Sequence, residues 1–142
     1  MPAKREGIRT LVAESQRRLA HADIAFVPPD WVRADLPAGP VTFAALFAVQ
    51  PFGNQIVRMR MTGADLQEVL NEEEDPGHPK LIASGLPERF DPDRTYVVAA
   101  SDFLASGGEG FEAFARGTDR EAVGKDVDAL EALLAERYPV VE

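Results

Sequence analysis

In "VQPFGNQIVRM", residues 49–59, Phe52, Gly53 and Asn54 break an apolar run just before an alternating pattern resumes. A large ring, a residue without a side chain and an amide thus stand together at the mouth of an expected strand. Fifty residues on, Phe103 leads into the glycine-rich "SGGEG" of residues 106–110. Phenylalanine usually packs in a core. Both of these rings, however, fall where a strand meets a glycine-containing loop, a place that tends to expose a side chain. The three glycines could bring backbone N–H groups against a ligand, and a plain tight turn would need similar glycines. Arg33 lies in a proline-rich loop after another expected strand. Its guanidinium could fork onto a carboxylate or stack on a ring, or form a salt bridge to Asp30 or Asp35.

Bond-breaking chemistry is harder to find. A two-metal hydrolytic centre needs a cluster of His and Asp ligands, and this chain has only His21 and His78, which read best as two solvated histidines. Neither His-Glu-x-x-His nor Gly-x-Ser-x-Gly occurs, and no Walker-type phosphate loop is present. The run from Glu72 to Asp75 lacks the ligand spacing and turn glycine of a calcium loop, so a solvated acidic loop suits it better. The sequence shows no complete catalytic apparatus.

Composition narrows the partners. The 142 residues, 45% of them hydrophobic, suffice for one domain with a single core. Fifteen basic against 24 acidic residues give a net charge of −9, which repels a phosphate backbone and argues against a nucleic-acid polymer as partner. No window approaches the ~20 apolar residues of a membrane span, and "MPAKREGIRT" lacks the apolar core of a signal peptide. With no cysteine there is no thiolate nucleophile, disulfide or Cys-ligated zinc.

The elements that must position these residues follow from periodicity. "GIRTLVAESQRRLAHA" places Ile8, Leu11, Val12, Ser15 and Leu19 on one helical stripe. "ADIAFV" suits a strand covered on both faces, ended by Pro28-Pro29, and Thr42 is placed to cap a short helix through "FAALFAV". Gln55 to Met61 alternates as a strand. Thr62 and Asp65 form a capping box for the helix "GADLQEVLNEE", with Leu66, Val69 and Leu70 on its buried stripe. The turn-rich "EEEDPGHPK" follows, then strands at "LIASGL" and "RTYVVAAS", the glycine-rich turn, and a last helix, "DVDALEALLAERY", with Asp126 as a possible cap. Helices mixed irregularly with strands indicate an α+β fold, a single domain with a mixed β-sheet and flanking helices.

The ordered set "WVRADLPAGPVTF", "VQPFGN", "MTGADLQEVL", "SGL" and "SDFLASGGEGF" resembles the C-terminal domain of the 5'-nucleotidase family, which includes UDP-sugar hydrolases and 2',3'-cyclic-nucleotide phosphodiesterases. The match runs from about Leu11 to Phe114, and five separated motifs occur in the family's order. The resemblance implies that residues 1–142 are the nucleoside-holding domain of such an enzyme. A metallophosphoesterase domain upstream, absent from this chain, would hold two divalent metal ions and perform the chemistry; this chain itself would need no cofactor. The base would be sandwiched between Phe52 and Phe103. Arg33 and Asn54 would meet the base edge or ribose, and Glu109 would accept from ribose hydroxyls. Gly85 would let backbone approach the base, and Gly108 joins the site from the glycine-rich motif. Two stacked rings suit a broad-specificity site, since stacking contributes about 1–3 kcal/mol per base and tolerates many bases.

Two departures from the family pattern stand out. Pro28-Pro29-Asp30-Trp31-Val32-Arg33 replaces Asn-x-Gly-Gly-Ile-Arg, removing any close backbone approach there, and Glu109 replaces an aspartate, moving the carboxylate by roughly one C–C bond. The resemblance also implies a parent protein that is secreted, periplasmic or at the cell surface. "MPAKRE" leads almost directly into the first helix, which suggests excision from a longer hydrolase. A free-standing nucleoside-binding module is one alternative. A structural domain with a vestigial pocket, both phenylalanines being core, is the other.

Overall fold

The computed structural model describes residues 5–28 and 54–137. Arg33, Phe52 and the expected helix cap Thr42 lie outside the described residues. The described elements are α1 (Arg5–Leu19), β1 (Ile24–Val27), β2 (Gln55–Thr62), α2 (Gly63–Glu73), β3 (Ile82–Ser84), β4 (Thr95–Ser101), α3 (Asp102–Ala105), two 3₁₀ turns (Gly108–Gly110 and Glu112–Arg116), β5 (Thr118–Lys125) and α4 (Asp126–Arg137). The five strands form one sheet in the order β3-β1-β4-β2-β5. β1 and β4 run parallel, and the remaining neighbours are antiparallel. This is the expected α+β fold with a mixed sheet.

The sheet is sandwiched. On one face Ile24, Phe26, Met59, Met61, Tyr96 and Val98 meet Leu66 and Val69 of α2, Leu104 of α3, and Phe111 and Phe114 of the segment after it. Fully burying side chains such as Phe26, Phe111 and Phe114 is favourable by about 1.5–3 kcal/mol each. On the other face Ala20, Ala22, Ala25, Ile56 and Ala99 form a small-residue layer. Helix α1 lies on that side, in contact with β1, β3 and α4. Strand β1 is buried at all four residues because both of its faces are covered, which is why its sequence is apolar without alternation.

Local signals explain the joints. His21, at φ 50°, turns the chain out of α1 in the left-handed conformation, with Ala22 N donating to Arg17 O at 2.9 Å. The capping box forms as expected: Thr62 Oγ1 accepts from Asp65 N at 3.2 Å, and Asp65 Oδ2 accepts from Thr62 N.

Some elements were not expected: a short helix, α3, opens the stretch read as a glycine-rich turn, and a 3₁₀ turn follows it at Glu112–Arg116. "TDREAVGK" forms β5, paired to β2 with two register shifts. It is exposed along most of its length and carries charges where alternation would demand apolar residues, so its sequence has no strand period. Pairing to β2 holds it in the sheet, helped by Val123, which packs against the small-residue layer, and by the Arg120 side chain, which bonds to the preceding loop.

Topology now fixes where the chemistry can lie. Because β1 parallels β4, and β2 opposes both β4 and β5, the C-terminal ends of β1, β4 and β5 share one edge of the sheet with the N-terminal end of β2. The residues around Asn54, Asp102 and Asp126 all emerge at that edge.

Candidate functional site at one edge of the sheet

Asn54 directly precedes β2, and the ladder continues one step past the strand, because Asp126 N donates to Asn54 O at 2.9 Å. Asp126 starts α4 and is 1% exposed. Its Oδ1 accepts from Val127 N at 2.7 Å, a buried contact. Burial raises the Asp126 carboxyl above its ordinary range. The Val127 N–H and the backbone and side-chain amides of Asn54 counter that rise, and the neighbouring Asp102 carboxylate adds to it. The Asn54 side chain therefore lies near enough to act on the carboxylate. Even so, its Nδ2 is buried and completes no hydrogen bond of good geometry, an uncommon state for a buried donor.

Across β2, the pairing of Ile56 with Ser101 brings the end of β4 level with Asn54. Ser101 caps α3 through Oγ, which accepts from Leu104 N at 3.3 Å. Phe103 is the second residue of that helix and is 46% exposed. Its ring lies over Gly108, where an added Cβ would stand 2.6 Å from Cδ2 and 2.7 Å from Cζ. Gly108 thus admits the ring against the main chain, and any other residue would push it away. Gly107, at φ 98°, makes the left-handed turn between α3 and the 3₁₀ turn.

Three side chains from elsewhere tie this loop down. Glu72, on α2, accepts from Glu112 N at 3.0 Å and Ala113 N at 3.1 Å. His78 Nε2 donates to Gly110 O at 3.0 Å, and its ring meets Phe111 edge-on at 5.2 Å between centroids. Arg120, on β5, donates to Ala105 O at 2.8 Å, Phe114 O at 2.6 Å and Gly117 O at 3.2 Å. Two sequence expectations change here. His78 is not a solvated histidine, since its Nδ1 is buried. The acidic run is not uniformly a solvated loop either: Glu72 satisfies two backbone donors, and burial raises the Glu73 carboxyl. Local periodicity could not reveal ties that span 32 to 41 residues for His78 and Glu72.

Of the expected site residues, the fold brings Asn54, Phe103, Gly108 and the backbone of Glu109 to one edge. Gly85 goes elsewhere. It follows β3, which runs against β1, so it lies toward the opposite edge beside Asp23 and Arg17. Its φ is 81°, and an added Cβ would strike the Asp23 carbonyl oxygen, so packing of main chain on main chain accounts for this glycine. Arg33 and Phe52 are outside the described residues. Sequence reasoning missed Arg120 and Asp126 as parts of this edge. Asp126 had a signal, its place before a helical period, but that pointed to capping alone.

No group of three or more His, Asp or Glu among the described residues is placed to hold a metal ion. The described part of the domain does not fit a two-metal centre. What the edge offers is a half-exposed ring, an amide and glycine-lined main chain, equipment for holding a flat polar molecule.

The fold is an α+β domain built on one mixed five-stranded sheet. Residues 2–87 match the sequence profile described as "5'-nucleotidase, C-terminal domain", and the chain belongs to that family. Among curated relatives it is 29% identical over 88% of its length to the cell wall protein Lmo0130 of Listeria monocytogenes, covering 20% of that protein. It is 31% identical over 71% of its length to the protein UshA of Yersinia enterocolitica, covering 22% of it. The solved 5'-nucleotidase precursor of Thermus thermophilus superposes over 95% of this chain with a TM-score of 0.81 at 25% identity, and the chain covers 33% of that structure. The chain therefore spans about a fifth of those two curated relatives and a third of the solved one. The profile match includes Arg33, Phe52, Asn54 and Gly85 and ends before Phe103, whereas the structural match extends over nearly the whole chain.

Proposed function

We propose that this domain holds the nucleoside of a nucleotide substrate for a 5'-nucleotidase-type phosphoesterase. Phe52 and Phe103 clamp the base, and Asn54, Arg33 and Glu109 orient the nucleoside, with Gly108 setting the Phe103 ring. A separate metallophosphoesterase domain, with two divalent metal ions, cleaves the phosphate ester. The observation that carries this reading is Phe103: a phenylalanine 46% exposed, whose ring occupies the space that a Cβ at Gly108 would need, at the same sheet edge as Asn54. Membership of the family supports the substrate class, and the cell-wall name of the Listeria relative supports an exported parent protein. No helix among the described residues is long and apolar enough to cross a membrane.

Calorimetric titration with adenosine, uridine and their monophosphates tests the reading. Saturable binding that Phe52→Ala and Phe103→Ala each weaken, in proteins that unfold at the wild-type denaturant midpoint, is the expected result. Absence of binding by the intact, folded domain would sink it, as would variants that simply fail to fold.

A further inference from the structure

The Asn54 amide poses a question of direction, because a base edge sees either a donor or an acceptor depending on which end of the amide faces it. Around Asn54 the described structure places one buried anion, Asp126, whose own N–H grips the Asn54 carbonyl at 2.9 Å. The helix start holds that carboxylate still, with Val127 N on Oδ1 at 2.7 Å. A fixed carboxylate attracts the NH₂ end of an amide and repels its carbonyl end. Consistent with this, Nδ2 of Asn54 is the end that lies buried. Since the amide is planar, turning Nδ2 inward turns Oδ1 away.

We propose that Asp126 is a positioning residue that holds Asn54 with Oδ1 presented to the ligand, so that the site reads a hydrogen-bond donor on the base. This rests on the nucleoside-clamp reading and sharpens it: an exocyclic amino group is the favoured feature. The Asn54 Nδ2 atom stays oriented by charge without completing a bond, which leaves the amide responsive to any change at Asp126. Asp102, the other acid near this carboxylate, adds negative charge and leaves the direction of the amide unchanged.

The test compares adenosine with purine riboside, which has the same ring system for stacking and lacks the amino group. The wild-type chain should bind adenosine about tenfold more tightly, the equivalent of one hydrogen bond. Asp126→Asn keeps the shape of the side chain and an acceptor for Val127 N but removes the fixed charge. In that variant the preference should fall to about twofold or less. In the ligand-free protein, the NMR signals of the Asn54 side-chain NH₂ should shift on the same substitution. Equal binding of the two nucleosides by the wild type would overturn the proposal and leave the clamp standing. So would an Asp126→Asn protein with lower affinity but an unchanged preference, or with unmoved Asn54 signals. If the wild type binds neither nucleoside, the clamp reading itself fails and the inference goes with it.

Discussion

Glycine serves two different purposes at the two edges of this sheet. At Gly63 and Gly85 an added Cβ would meet main chain, the carbonyls of Asp91 and Asp23, so these glycines let one stretch of backbone lie on another. At Gly108 and Gly110 it would meet side chains, the Phe103 ring and the His78 imidazole. Backbone cannot retreat without moving an element, whereas a side chain can rotate away. The first pair is therefore a requirement of folding, and the second sets where particular rings sit. A glycine's neighbour tells more about its role than the glycine does.

Gly85→Ala should break the first half of this contrast with the largest effect. It combines a left-handed φ with a collision against backbone, and a loss of about 3 kcal/mol in urea unfolding is expected. An unchanged unfolding midpoint with weakened nucleoside binding would move Gly85 to the site. Phe103→Ala should do the opposite, costing about 1–3 kcal/mol of nucleoside affinity while stability, for a half-exposed residue, shifts by about 0.5 kcal/mol. Gly108→Ala should reproduce part of that affinity loss by displacing the ring, with a stability loss of about 1 kcal/mol. Loss of stability comparable to Gly85→Ala would erase the distinction between the two edges. Glu72→Ala should release two backbone N–H groups of the loop, costing about 1 kcal/mol and speeding amide exchange at Glu112 and Ala113.

The smallest effect concerns pH. Because burial raises the Asp126 carboxyl, the folded protein holds that proton more tightly than the unfolded chain. Its contribution is complete below the ordinary carboxylate pKa and is lost as pH rises through the raised value. Asp126→Asn removes this loss. In denaturation series between about pH 4 and pH 7 the variant should gain stability relative to the wild type as pH rises, reaching a stability at neutral pH equal to or above it. A variant that instead loses ground to the wild type as pH rises would mean that the carboxylate is stabilised in the fold.

The same contrast separates what the sequence made legible from what it did not. The capping box at Thr62 and Asp65, the doubly covered β1 and the Leu66 and Val69 stripe of α2 are short-range patterns that formed as their residue types imply, while Leu70, expected on the same stripe, is only partly buried. The glycine-rich run was legible as a turn. That it supports the Phe103 ring needed Gly108 to be seen beneath it. Strand β5 escaped because a strand exposed along most of its length has no hydrophobic period. Glu72, His78 and Arg120 escaped because a solvated charge and a charge that ties a distant loop look alike in one dimension. Arg33 and Phe52 drew notice by residue type and position, took their proposed roles from the family resemblance, and lie outside the described residues.

Strand β5 has one more consequence. As the last strand of the described sheet it offers main-chain groups on which a second molecule could build, the usual route to edge-to-edge aggregation. Two register shifts against β2, a left-handed Asp119 and the charges of Asp119, Arg120, Glu121 and Lys125 spoil that template. The polar stretch that concealed the strand from sequence reading is also what blunts this edge as a template for pairing.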